Sequence, residues 1–570
     1  MAEQITIYCK NTGNYYEVPV GSSLLDIYII VGEPLPYRPL NAQVNNRTQD
    51  LTYTCWQPKD IEFVDYTNPS GMRTYVRTLC YVLSKAVHDV FPEATLNIEH
   101  SISKGYFCTI HNGKSADIDM LAQIRQRMQE IVDADIPLKL HTVQSEKAIR
   151  IFHPDFTEHT NSLFRLYREV GMEDKATLIE SSGMLYASYY ELDGYVNYFY
   201  GGLAPSTGYV PVFDLEPYLD GALLRVPERT NPQVLAPKVL QNKMFEAYKE
   251  HLNLQRALGL NNVGDLNKAL EQGHASEVIM ISEAMQEKQI AHIADEIAER
   301  YKKGVRIVLI AGPSSSGKTT TCKRLEIQLA TNLLRPVGIS LDDYFVNRED
   351  TPKDESGDYD FESLYALDLP YFNSDLQRLI NGEEIEMPSF DFSSGKRVYK
   401  GKKMKLYDNS VIVIEGIHGL NPELTAHLDD SLKYRIYVSA LTSISLDNHN
   451  WIPTTDNRLL RRIIRDYRYR GYSAEETINR WPSVRRGEDK WIFPYQEYAD
   501  ATFNSAMLYE LAALRAYAEP ILANVPEKSP ANAEAYRLLR FMRYFKYIPQ
   551  EDLPKTSLLR EFLGGGSFEY

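Results

Sequence analysis

The sequence predicts a multidomain protein of mixed α/β and α+β class, and three observations predict it. Its 570 residues exceed what one hydrophobic core supports, so about three or four domains are expected. Residues 1–226 mix short β-rich runs with amphipathic stretches, the make-up of small α+β units. From Val305 onward, strand-length apolar runs alternate with helical patterns, which predicts a parallel sheet with helices on both faces.

Taken in order, residues 1–66 carry ITIYC, YYEVPVG, a helical SLLDIYII, AQVNN and DIEFVDY, which reads as a small sheet crossed by one helix. In 72–91 the apolar positions Val76, Leu79, Cys80, Leu83, Ala86, Val87 and Val90 recur at three- and four-residue spacing, so an amphipathic helix opens a second domain, 67–226. That domain closes in the strand-like VPVFDLEPY and ALLRVPE. Pro227, Pro232 and Pro237 then mark a linker, and helical patterns with a buried stripe of Val278, Ile279, Met285, Ile293 and Ile297 complete a connecting region, 227–302. The parallel-sheet domain is expected over 303–510. A mostly helical segment, 511–570, ends in SLLREFLGGGSFEY, whose glycines are expected to form a flexible tail.

Composition narrows the function classes. A net charge of −15 disfavours a protein that coats nucleic acid, a task that needs excess Lys and Arg to displace counterions from phosphates. Five scattered cysteines, Cys9, Cys55, Cys80, Cys108 and Cys322, form no C-x-x-C pair, and MAEQITIYCK carries no basic-then-apolar leader pattern, so a cytoplasmic location is expected. The longest apolar runs, VRIVLIA and VIVIEGI, fall far short of the roughly 18 residues that span a bilayer, so no membrane role is expected. His100, His111 and His153 show no paired metal-ligand spacing and read as ordinary polar residues.

The chemistry concentrates at GPSSSGKTT, which follows the strand pattern VRIVLIA and opens the helical TTTCKRLEIQLATN. The pattern G-x-x-x-x-G-K-S/T between a strand and a helix is a phosphate cradle. Gly312 and Gly317 let backbone N–H groups converge on phosphates, and the helix adds the positive end of its dipole. Gly312, Ser314, Ser315, Ser316, Gly317, Lys318, Thr319 and Thr320 are the expected nucleotide contacts. Lys318 supplies charge to the β- and γ-phosphates, and the Thr319 hydroxyl is placed to ligate Mg²⁺. SLDDYF puts Asp342 and Asp343 at the end of one predicted strand, and VIVIEG puts Glu415 at the end of another. In an open parallel sheet these ends share one edge with the phosphate loop, where an acid holds Mg²⁺ or takes a proton from an attacking hydroxyl. The plainer alternative for Asp342 and Asp343 is a solvated pair or a helix N-cap.

In DNRLLRRIIRDYRYRG, Arg458, Arg461, Arg462 and Arg465 crowd one helix face. Like charges so placed repel by about 0.3 kcal/mol per pair, and a bound anion relieves that repulsion. The alternative is a solvated basic face paired with Asp456 and Asp466.

These pieces, in this order, resemble the uridine kinase and phosphoribulokinase family over roughly 305–505. The resemblance implies ATP-dependent phosphoryl transfer to a hydroxyl, with Asp342 as catalytic base and Mg²⁺ neighbour and Lys318 on the transferring group. It also implies Thr319 and Glu415 in the metal site, Arg461 and Arg465 in an arginine lid, and a homo-oligomer. Departures bear on the acceptor. Where that family carries Phe-Asp-His-Pro-Asp, this chain has FESL, with Glu362 in the aspartate's place. Where it carries Tyr-Asp-Phe and a base-reading histidine, this chain has PSFDFSSGKR, keeping Phe390 and Phe392 as an aromatic wall and placing Gly395 at the histidine position. Asp343, Tyr344, Glu362, Phe390, Phe392 and Arg458 are the expected acceptor contacts. A nucleoside comes first as acceptor and a sugar-like polyol second. Uridine selectivity is not expected, because glycine offers no side chain to a pyrimidine edge.

The N-terminal half resembles the front of a threonyl-tRNA synthetase. Residues 1–66 are similar to its TGS domain, a β-grasp fold, through VPVGSSLLDI and AQVNNRTQDL. Residues 67–226 are similar to its editing domain, through KAVHDVFPEA, HSISKGYF and APSTGYVPVFDL. The H-x-x-x-H and C-x-x-x-H pairs of that domain fall on Arg77 and Tyr81 and near Phe199 and Leu203, so editing chemistry is expected to be absent. What remains is a shell for binding or regulation. A nucleotide-dependent switch docking on tRNA or a ribosome is the rival reading, and the acidic charge disfavours it.

Overall fold

The computed structural model describes residues 3–153, 172–354, 357–391 and 394–569. Phe392, expected in the acceptor wall, lies outside the described residues. The first region is a five-stranded mixed sheet. Gln4–Cys9 pairs antiparallel with Asn14–Pro19 and parallel with Lys59–Val64, and the sheet continues through Asn41–Val44 to Arg47–Gln49. The helix Leu24–Ile30 begins at a capping box in which the Ser23 hydroxyl accepts from Asp26 N and the Asp26 carboxylate accepts from Ser23 N. Leu24 and Ile27 bury its inner face.

The amphipathic helix of the second region runs over Pro69–Val90, with Asn68 as cap and proline at its first position. It packs on the helix Ile118–Asp133, beside an antiparallel sheet ordered Asp214–Tyr218, Gly221–Arg225, Gly105–His111, Thr95–Ile102. Tyr81, Phe199 and Leu203 share one apolar cluster here, with Arg77 on the same helix as Tyr81. Arg77 donates to the carbonyls of Tyr200 and Gly202 at 3.0 and 3.2 Å, and the Tyr81 and Phe199 rings lie 5.2 Å apart. Phe199 and Leu203 are buried apolar side chains. Among the described residues no group of three or more His, Cys, Asp and Glu could hold a metal.

The third region is a five-stranded, all-parallel sheet with the spatial order Arg335–Ser340, Ser410–Glu415, Ile307–Ala311, Lys433–Ser439, Ala501–Asn504. Ile307–Ala311 is buried along its whole length, as a strand covered on both faces must be. A hairpin of Ile385–Asp391 and Lys396–Met404 stands beside the sheet. The helix Thr454–Arg465 runs into a π-helical turn, Asp466–Arg470, that stops at Gly471 with φ 70°. Among the described residues no helix is long and apolar enough to cross a membrane.

The structure revises two packing expectations. Along Ala275–Tyr301, Val278, Ile279, Ile293 and Ile297 are buried, but Met285 is half-exposed and Gln286 and Ile290 take its place in the stripe. The C-terminal segment is no flexible tail, because Leu558, Leu559, Phe562 and Leu563 are wholly buried. Burying such side chains contributes about 1.5–3 kcal/mol each, which outweighs the freedom of the glycines that follow. One apolar cluster joins Ile290, Val308, Leu460, Leu511 and Phe562 and reaches Ala148 and Leu178, so the core crosses the expected boundaries at 303 and 510. A fully buried ion pair, Lys175 with Asp447 at 2.8 Å, ties the two halves of the chain together.

Candidate active site

The strand Ile307–Ala311 delivers the chain into the loop, and the helix Lys318–Thr331 carries it away. A Cβ at Gly312 would sit 2.0 Å from the Val438 carbonyl oxygen, and Gly317 has φ +83°. Only glycine serves at both positions. The loop is then gripped by its neighbours. Arg458 Nε donates to Ser314 O at 2.9 Å, Arg462 Nη1 to Ser314 Oγ at 2.7 Å and Arg461 Nη1 to Ser315 O at 3.4 Å. Glu488 accepts from Ser314 N at 3.1 Å, and the Ser505 hydroxyl donates to Ser316 O.

Three predicted roles change with this geometry. Arg458 is 1% exposed and ion-paired with Glu488, and Arg461 is 0% exposed and ion-paired with Glu510, with the Phe562 ring 5.0 Å from its guanidinium. A guanidinium neutralised by its own carboxylate and sealed from solvent is neither a mobile lid charge nor an acceptor contact. Both arginines shape the loop instead. Tyr344, expected to face the acceptor, is wholly buried with its hydroxyl 3.2 Å from Asp375, in an apolar cluster with Phe372 and Leu376. It belongs to the core because it ends the short turn Leu341–Tyr344, whose Leu341 is buried in the same cluster.

The predicted acids and hydroxyl do come together. Register pairs Ser340 with Glu415 at the carboxyl ends of neighbouring strands, and Asp342 and Asp343 follow in the turn. Glu415 accepts from Thr319 Oγ1 at 3.4 Å and from Ser340 Oγ at 3.3 Å. Burial first, and the Asp342 charge second, push the Glu415 carboxyl up to about 7. Burial lowers the Lys318 ammonium from its ordinary range, against the pull of Glu415, Asp342 and Glu561, and Nζ donates to Pro313 O at 3.1 Å. The Asp342 and Glu415 carboxyls beside a threonine hydroxyl form a hard-oxygen set, and a cation of the Mg²⁺ type would relieve the repulsion between them. The residues present fit that ion.

Around this centre the remaining cationic charge belongs to Arg462, Arg465 and Arg470, which converge on Asp466. Arg465 pairs with Asp466 at 2.9 Å, and its charge acts on Lys318. Arg465 first and burial second lower the Arg470 guanidinium to about 10, with Asp466 and Asp342 opposing. Arg470 escapes a reading by helical spacing because the π turn breaks the three- and four-residue steps. Beside this centre, burial pushes the Glu362 carboxyl up to about 7, with Glu488 and Asp342 adding to the rise and Arg462 and Lys318 opposing it. A Cβ on Gly487 would come within 2.2 Å of Glu362 Cβ, so the helix Ala474–Trp491 presses directly on this residue. Asp343 accepts from Phe390 N at 3.3 Å, which docks the hairpin against the turn, and the Phe390 ring lies 5.6 Å from Phe345. Gly395 has φ +69°, and a Cβ there would meet Arg348 Nε at 2.8 Å. Arg348 therefore fills the place where the resemblance puts a histidine.

A glycine-rich loop on a parallel sheet, edged by acids and roofed by an arginine helix, defines a P-loop protein of the phosphotransferase type. The sequence profile of the phosphoribulokinase/uridine kinase family matches residues 307–511, and the chain belongs to that family. Uridine kinases of Staphylococcus aureus strains JH9 and Newman are each 31% identical over 199 residues, covering 35% of this chain and 86% of theirs. A solved structure of a possible uridine kinase from Bacillus stearothermophilus aligns with 37% of this chain and 97% of its own, at 19% identity and a TM-score of 0.25.

Proposed function

We propose that the protein is an ATP-dependent kinase that transfers the γ-phosphoryl group to a hydroxyl of a small metabolite, a nucleoside first and a sugar-like polyol second. The convergence of Lys318, Thr319, Asp342 and Glu415 on one sheet edge carries this reading. Asp342 accepts the proton of the attacking hydroxyl. Lys318 and the loop N–H groups hold the phosphates, while Arg462, Arg465 and Arg470 stabilise charge on the group in transfer. Thr319, Asp342 and Glu415 would hold Mg²⁺, which supplies charge neutralisation to the phosphates. Asp343 and Phe390 position the acceptor wall, and Glu362 supplies its polar contact.

The N-terminal half fits a TGS-like sheet followed by an editing-like domain without its hydrolytic groups. Arg77 filling the space beside Tyr200 and Gly202 supports that reading. Its role here is binding or regulation in the cytoplasm.

A panel of nucleosides and polyols tests the kinase reading through ADP release with Mg²⁺-ATP. One acceptor class is expected to raise the rate by about 10² or more over the acceptor-free background, as positioning a hydroxyl against the phosphoryl group does. Flat release across the panel, together with tRNA binding at physiological salt, would move the protein to the switch reading.

A further inference from the structure

The C-terminal segment enters the phosphate loop, and the chemistry above does not use it. Glu561 accepts from Thr320 N at 3.1 Å and from Thr320 Oγ1 at 2.7 Å. Thr320 lies in the first turn of the helix Lys318–Thr331, where N–H groups have no intrahelical acceptor and the dipole is positive. Those donors are the ones an anionic phosphate takes at such a helix start. Here a carboxylate from 241 positions along the chain has taken one of them.

Three further contacts hold that carboxylate in place. Leu558 packs on the loop so closely that a Cβ on Gly317 would lie 2.7 Å from its Cδ2. Phe562 stacks under the Arg461 guanidinium at 5.0 Å. At Gly564 a Cβ would meet the Tyr469 hydroxyl at 2.6 Å and Arg468 Nη2 at 2.8 Å. The segment thus touches the loop, the phosphate-loop helix and the lid turn at once. A nucleotide phosphate brought to the same donors meets like charge at contact distance, which disfavours both occupying the site together.

We propose that Glu561 is a built-in competitor for the nucleotide. Its carboxylate takes a donor pair that a phosphate of the bound nucleotide requires, and nucleotide binding displaces it from Thr320. The inference rests on the nucleotide reading of the loop and is independent of which acceptor the enzyme uses. A structural cap and a competitor predict opposite signs. Removing a cap loosens the loop and weakens nucleotide binding, whereas removing a competitor tightens it.

Calorimetric titration of the 570-residue chain and its Glu561→Gln variant with Mg²⁺-ATP, without acceptor, separates them. The variant should bind with a Kd lowered by about tenfold, the scale of one hydrogen bond to a charged group. An equal or higher Kd in the variant overturns the proposal while leaving the nucleotide site intact. If neither protein binds ATP, the nucleotide reading falls and this inference with it. Amide exchange in the wild-type chain gives a second readout that needs no variant. Saturating Mg²⁺-ATP should speed exchange over residues 558–565, and unchanged or slower exchange there refutes displacement.

Discussion

The phosphate side and the acceptor side of the site are built in opposite ways. On the phosphate side the backbone is clamped by buried ion pairs, Arg458 with Glu488 and Arg461 with Glu510, and by glycines that tolerate no side chain. The side proposed for the acceptor is a turn and a hairpin held by scattered hydrogen bonds, among them Phe390 N to Asp343 at 3.3 Å and Arg397 Nη2 to Phe345 O at 3.1 Å, with the helix Ala474–Trp491 pressing on Glu362. Phosphate geometry is the same for every substrate of such an enzyme, so a rigid cradle serves all of them. On the proposed reading, acceptor identity is set by few contacts, and it is there, at Glu362 and Gly395, that this chain departs from the pattern of the uridine kinases it resembles.

The contrast is broken most severely at the residue that both sides share. Asp342→Asn is expected to lower kcat by about 10²–10⁴ with ATP affinity largely kept, because an amide accepts no proton. Steady-state rates beside ATP titration measure this, and wild-type turnover would remove Asp342 from the base role.

The arginines sharpen the comparison next. Arg461→Ala leaves Glu510 buried without its partner and should cost about 3–5 kcal/mol of stability. Arg465→Ala leaves Asp466 still paired with Arg462 at 3.3 Å and Arg470 at 3.6 Å, so it should leave the melting temperature nearly unchanged and lower kcat by about 10²-fold through lost charge on the phosphoryl group. Thermal melts and kinetics on both variants decide it. If Arg465→Ala unfolds the protein and Arg461→Ala only slows it, the division between clamp and lid is reversed.

Legibility followed the same divide. The loop, its strand and helix, and the acids at 342 and 415 are local patterns with fixed spacing, and the structure brings those residues together. Helical spacing placed Arg458 and Arg461 on one face but carries no word on what faces them. Their partners, Glu488 and Glu510, lie 30 and 49 positions away, on separate helices. At the C-terminus the glycines suggest a free tail, while the residues before them carry the opposite pattern. Leu558, Leu559, Phe562 and Leu563 recur as a helix face recurs, and that signal was present in the sequence. Arg348 carried no such signal, since only the folded hairpin sets it over Gly395.

A smaller effect separates the two sides by pH. The Glu362 carboxyl stands at about 7 in the folded protein against an ordinary 4.5. A raised carboxyl favours the protonated fold, so its contribution to stability is full below the ordinary value and is lost as pH rises through about 7. Unfolding free energy should therefore fall between about pH 5 and 7 by more in the wild type than in Glu362→Gln. The acceptor KM should show a step near neutrality that the variant lacks. Denaturant titrations across that window test the first expectation. Identical slopes in the two proteins would mean that Glu362 faces more solvent, or a closer cation, than its surroundings imply.

The smallest expected effect is at Gly395, where restoring the family's histidine should fail to restore uridine selectivity. The backbone there sits at φ +69°, a conformation that costs a residue with a side chain about 1 kcal/mol. The new Cβ would also press on Arg348, whose Nε lies 2.8 Å from that point. The imidazole of Gly395→His is thus turned away from any acceptor, and acceptor kcat/KM should change by only about two- to threefold, the cost of slight strain. Removing the obstruction as well, in Arg348→Ala with Gly395→His, opens the space for the ring. That double variant should shift kcat/KM toward pyrimidine nucleosides by about tenfold, the scale of one added hydrogen bond to the base. A large improvement from the single substitution would show that Arg348 yields its place at little cost. The acceptor side would then be as permissive in packing as the phosphate side is strict.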